Sequence, residues 1–148
     1  MFDLRNLLYV LATSVLALVM MPASAATDFP AAPADVSAAT ARGLRQLDMA
    51  ALREAFTGTH VEQDARGKIY RVQYGADGSV ILSNSSGLID RGTFTVIRQH
   101  DGGVCLRLEH QMNQRMCAIW FFAQDGVHLF GYNPTDGTLR AVSRRHSE

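Results

Sequence analysis

The chain has 148 residues, with fourteen basic and fourteen acidic side chains and a formal charge of zero. That length holds one domain, and the charge balance supplies no basic face of the kind nucleic acid binding requires. Thirteen of the cations are arginine and only Lys68 is lysine; guanidinium groups bind phosphate and carboxylate in a bidentate manner, but codon bias produces the same composition.

The first residues read as an export leader. Arg5 lies in a short front region, Leu7 to Met21 is apolar except for Thr13 and Ser14, and Ala23-Ser24-Ala25 has the small-x-small pattern of a cleavage site. The apolar run is shorter than the roughly 18 to 20 residues that span a bilayer, so cleavage after Ala25 is expected rather than a retained anchor. The expected organisation is a cleavable signal peptide at 1–25, a flexible Ala/Pro-rich lead-in at 26–35 and a single domain at 36–148, in the periplasm or secreted.

Order is expected to begin with a helix. Leu44, Leu47, Ala51, Leu52, Ala55 and Phe56 recur at helical intervals, Asp48 can cap the turn starting at Met49, and Thr57-Gly58 stops it. Beyond Thr59 the period changes to two. Lys68 to Tyr74, Ser79 to Ser83, Thr93 to Ile97, Val104 to Glu109, Arg115 to Phe122, Val127 to Tyr132 and Thr138 to Ser143 read as seven strands, with Thr59 to Glu62 a candidate eighth. Asp-Gly pairs at Asp77-Gly78, Asp101-Gly102, Asp125-Gly126 and Asp136-Gly137 suit tight hairpins. The connections are too short for helical crossovers. The predicted fold is therefore mainly β: an antiparallel up-and-down meander of seven or eight strands closing into a small barrel, preceded by one amphipathic helix.

Alternation assigns the two faces. Tyr70, Val72, Tyr74, Phe94, Trp120 and Phe122 fall on the inward side with the aliphatic residues of the other strands. The aromatic subset Tyr70, Tyr74, Phe94, Trp120 and Phe122 either fills the barrel or lines a cavity for a small apolar ligand, since eight-stranded barrels are just wide enough to hold one. The remainder falls outside: Ile119, Phe121, His128, Phe130 and Tyr132 form an outer patch of a size that monomers rarely leave bare. Either the helix carrying Leu44, Leu47, Leu52 and Phe56 covers it, or a partner protein or a second copy of the chain does.

Cys105 and Cys117 are the only cysteines. In an exported domain an even pair reads most simply as one disulfide, with two buried thiols as the alternative. A hairpin turning about Gln111 places them opposite each other, and also places Arg107 opposite Arg115, where like charges repel unless a bulge or Glu109 intervenes.

Chemistry-bearing motifs are sparse. The five histidines share no metal-type spacing, and His60, His100 and His110 fall in or beside expected turns. Ser83 to Gly87 lacks a nucleophile elbow and reads as a loop, the aspartates cluster in turns, and Arg140, Arg144, Arg145 and His146 read as a solvated tail. No catalytic residue, metal or cofactor is expected.

The run from Leu52 to Phe122 resembles a family of small exported bacterial proteins of unknown function with a calycin-like barrel. The motifs that carry the resemblance are Phe56 to Thr59, Gly67-Lys68-Ile69-Tyr70, Asp77-Gly78, Asp90-x-Gly92-Thr93-Phe94 and the cysteine pair. Phe94 stands where the family's pattern has tryptophan. The resemblance implies a barrel and a periplasmic address, and it brings no catalytic residues. The functional expectation is a non-enzymatic binding or accessory protein docking a periplasmic partner protein through the outer patch. The alternative is a carrier of a small apolar ligand inside the barrel, and an enzyme ranks third.

Overall fold

The structure is a computed structural model that describes residues 28–97, 103–110 and 115–146. The expected leader, Asp101-Gly102 and the β-turn at Gln111 lie outside the described residues. Eight strands, β1 (Gly58–Asp64), β2 (Ile69–Tyr74), β3 (Ser79–Asn84), β4 (Gly87–Ile97), β5 (Gly103–Leu108), β6 (Arg115–Phe122), β7 (His128–Tyr132) and β8 (Leu139–Arg145), follow two short helices, α1 (Val36–Ala41) and α2 (Met49–Ala55). Each strand pairs antiparallel with the next, and β1 pairs with β8 to close the barrel.

The turn chemistry expected from the sequence is in place. Asp77, Asp125 and Asp136 each accept a hydrogen bond from the backbone N–H two residues on, beside a glycine at positive φ. The serine-rich stretch is tighter than a loop. Asn84 caps Ser86 through its side chain, and β4 starts at Gly87, six residues before the expected Thr93. At the other end of the chain, Arg144 and Arg145 belong to β8, opposite His128 and His60, instead of to a solvated tail.

The hairpin of β5 and β6 has the expected register. Cys105 faces Cys117 and the two form a disulfide with their Cα atoms 4.0 Å apart. Closing so short a loop is worth about 3 kcal/mol by chain-entropy reasoning. Arg107 does face Arg115. Glu109 does not intervene; it pairs with Arg91 at 3.6 Å.

The helical reading is corrected in two places. Asp48 caps α2 as expected, accepting from Ala51 N–H at 2.8 Å. Leu44 and Leu47, however, are extended. Beyond Ala118, β6 has outrun β5, and the chain at Arg45 to Leu47 pairs with that free edge: Leu47 N–H donates to the Trp120 carbonyl at 2.8 Å and Phe122 N–H to the Arg45 carbonyl at 2.9 Å. A bare strand edge is a pairing template, and here the chain's own link occupies it. Alternation in this link sends Leu44 outward and Leu47 inward.

From that link α2 enters one end of the barrel. Leu47, Leu52 and Phe56 are buried among Val72, Tyr74, Val80, Val104 and Trp120, each burial stabilising by ~1.5–3 kcal/mol. Phe56 sits within an aromatic box, with ring centroids 5.4 Å from His60, 5.1 Å from Tyr74 and 4.9 Å from Trp120. The expected role of this helix as a cover for the outer patch is therefore wrong: it is the barrel's plug.

The outer patch is covered by the segment ahead of it. Ile119, Phe121, Phe130, Tyr132 and Val142 pack with Phe29, Ala32, Val36, Ala39 and Leu44. Pro33 is buried and its carbonyl accepts from Tyr132 Oη–H at 3.1 Å, while Val36 N–H donates to the Gly137 carbonyl. Within 28–35, the segment expected as a flexible lead-in is thus a packed strap, since its two prolines alternate with small and aromatic residues that fit an apolar surface.

Candidate functional site

The plug fills only one end of the barrel. Toward the other end, which is ringed by the β1–β2, β3–β4 and β7–β8 turns, lies a cavity of about 740 Å³, within the ~300–1,000 Å³ range of small-molecule sites. Its wall is apolar, from Val72, Leu82, Val104, Leu106, Leu108 and Met116. These are the inward positions of alternating strands, as the period-two pattern requires. Isoleucines 69 and 89 line it near the mouth and remain 42% and 38% exposed, so the entrance has an apolar rim.

Of the five aromatic residues expected inside, Tyr70, Tyr74 and Trp120 line the cavity. Phe94 and Phe122 do not. They lie at the plugged end, where Phe94 packs edge-on against Tyr74 at 5.0 Å and Phe122 lies under the Arg45 guanidinium at 4.5 Å. Trp120 owes its position to the neighbouring strand: Gly131 is its partner across β6 and β7, and a Cβ there would fall 2.7 Å from the indole ring.

Beneath the cavity lies a buried polar chain that sequence reading missed. Glu62 Oε1 receives Tyr74 Oη–H at 2.8 Å and lies 3.2 Å from Ser143 Oγ; Ser143 Oγ lies 2.9 Å from His60 Nδ1, and His60 Nε2 lies 3.0 Å from the Ala55 carbonyl. Burial pushes the Glu62 carboxyl up to about 7, against hydrogen bonds from Tyr74 and Ser143 that favour the anion. Burial likewise holds His60 down at about 4. The hydrogen-bond pattern fits two neutral groups. A carbonyl only accepts, so His60 carries its proton on Nε2, Nδ1 takes the Ser143 hydroxyl proton, and Ser143 Oγ is left to accept from protonated Glu62. With Glu62 charged, Ser143 donates to it instead and Nδ1 needs a proton of its own.

This chain is not a nucleophilic triad. In a triad the acid orients the imidazole, whereas here the acid meets the hydroxyl, and Ser143 is fully buried. His60 belongs to β1, which occupies the candidate eighth strand at Thr59 to Glu62, and it is buried rather than solvated beside a turn. The available signal was the spacing of His60 and Glu62, two apart on one strand face, which is unreadable without knowing that the face points inward.

The five outer-patch residues, Ile119, Phe121, His128, Phe130 and Tyr132, are brought together as expected, but all are buried beneath the strap. His128 Nδ1 meets Asp125, and Phe29 packs edge-on to its ring. The expected docking surface is therefore absent from the exterior. The opposed Arg107 and Arg115, with Thr93 and Thr95, border a shallow groove of about 470 Å³. Both arginines are exposed, so water solvates them and the groove has no preformed anion site.

The class that fold and site define is a plugged, eight-stranded up-and-down barrel with an internal cavity. Comparison with known proteins gives no match to a family model, a curated protein or a solved structure.

Proposed function

We propose that the protein is a non-enzymatic carrier of a small, mainly apolar ligand held inside the barrel. The observation that carries this reading is the 740 Å³ cavity with its aliphatic wall and apolar rim. A barrel interior is ordinarily close-packed, and α2 already closes one end, so a space of this size at the other is a feature of the fold rather than a packing defect. The polar groups around it do not converge on a reacting position, which favours binding over catalysis. Disulfide Cys105–Cys117 and the leader pattern ending at Ala25 support an exported carrier working in an oxidising compartment. The outer patch gives no comparable support to a docking role, because the strap occupies it.

The test is saturable binding of the neutral fluorescent probe N-phenyl-1-naphthylamine. One-to-one binding at micromolar concentration is expected, abolished in Leu106→Trp, whose indole fills the lumen. Absence of saturable binding, or binding that Leu106→Trp leaves intact, overturns the proposal.

A further inference from the structure

Among the described residues that line the cavity, Trp120 and Glu62 at its deep end each keep a polar atom without a partner, and Arg140 Nε, nearer the mouth, is a third. Trp120 is 4% exposed, and its Nε1–H has no hydrogen-bond partner among the described residues. Glu62 makes both of its hydrogen bonds, with Tyr74 and Ser143, through Oε1, which leaves Oε2 without a partner among the described residues. A buried donor left unmade, as at Trp120, costs ~1–3 kcal/mol, and Trp120 and Glu62 line the same apolar space.

Resting on the carrier reading, we propose that the ligand is an uncharged amphiphile, an alcohol or a carboxamide, inserted polar end first so that it donates to Glu62 Oε2 and accepts from Trp120 Nε1–H. Other end groups leave one requirement unmet. A carboxylate has no proton to give Oε2 and brings a second acid beside Glu62. An ammonium has no lone pair for the indole N–H and must desolvate its charge where Glu62 is held neutral by burial. The cations Lys68 and Arg140 line the cavity nearer the mouth, on the β1–β2 turn and early β8, so they do not lower the cost of a charge at the depth of Trp120. Asp64 at that mouth is already occupied, accepting from the Arg66 and Lys68 N–H groups and from Tyr70 Oη–H.

Trp120 is the only tryptophan, so its emission reports directly on the deep end of the cavity. The oxidised protein is titrated at pH 6 with octanol, octanamide, octanoate and octylammonium, chains of one length that differ only in the end group. Octanol and octanamide are expected to shift the emission with a Kd at least ~10-fold below those of the two ions, the ratio that follows from leaving one buried polar group unpaired; the tighter of the two identifies the end group. Calorimetry on Trp120→Phe should then show that preference reduced. Equal or tighter binding of octanoate or octylammonium overturns the inference while leaving the carrier reading standing. If none of the four binds, and N-phenyl-1-naphthylamine also fails, the carrier reading falls and the inference with it.

Discussion

The barrel carries two apolar surfaces of similar composition, and the fold treats them oppositely. The outer face of β6 to β8 is sealed by the strap, with Ala39 and Tyr132 fully buried. The inner face is sealed at one end by α2 and left open at the other. An extended strap needs only a flat surface and can spread along it, whereas a plug must match the width of a barrel end, and seven helical residues reach only part of the way down. Exposure of aromatics in a sequence pattern is thus a poor guide to which surface meets a partner; what matters is whether the chain has segments left to cover it.

The comparison breaks most severely at the plug. Phe56→Ala should destabilise by ~3–5 kcal/mol, since it empties the centre of the aromatic box. Urea denaturation checks this, and a loss below about 1 kcal/mol would mean that the box collapses and the plug is dispensable.

A more moderate effect comes from the polar chain under the cavity. The folded Glu62 pKa is raised from 4.5 to about 7, so its contribution to stability is full below 4.5 and is lost as pH rises through about 7. His60 is depressed from 6.5 to about 4, so its contribution is full above 6.5 and is lost as pH falls through about 4. The two slopes oppose each other between 4.5 and 6.5. Glu62→Gln keeps the shape and removes one slope: the wild type's stability relative to the variant should fall by on the order of 3 kcal/mol between pH 4.5 and 7. Parallel urea midpoints across that range would refute the buried neutral acid.

The smallest expected effect sharpens the strap side. Tyr132→Phe removes the hydrogen bond to the Pro33 carbonyl and should cost about 1 kcal/mol. Amide exchange should quicken in residues 33–44 and stay unchanged in β2 and β3. Uniform acceleration would show that strap and barrel open as one unit.

Much of this architecture was legible before the fold was known. Period-two runs located the strands, because each has one buried face; Asp-Gly pairs located three of the hairpins, because their backbone tolerates positive φ; and these local rules also set the β5–β6 register that pairs Cys105 with Cys117. Even the inward aromatics were assigned to the right face. The site was harder to read. Glu62, His60 and Ser143 look like ordinary polar strand residues, and they come together only because β1 lies between β2 and β8 in the closed sheet.

The division is a physical one. The sequence by itself determined the antiparallel barrel, its hairpins, its cross-link and most of the inward faces, since each depends on neighbours near in the chain or directly across a strand; Val127, expected inward, is exposed, and Leu139 packs on the outer cluster. Only the tertiary structure decided that Leu47, Leu52 and Phe56 plug the lumen, that Phe29 to Leu44 cover the outer patch, and that Phe94 and Phe122 belong to the closed end while Tyr70, Tyr74 and Trp120 face a cavity. An apolar stretch of sequence states that it must be buried; the volume and shape left over once the barrel has closed decide where.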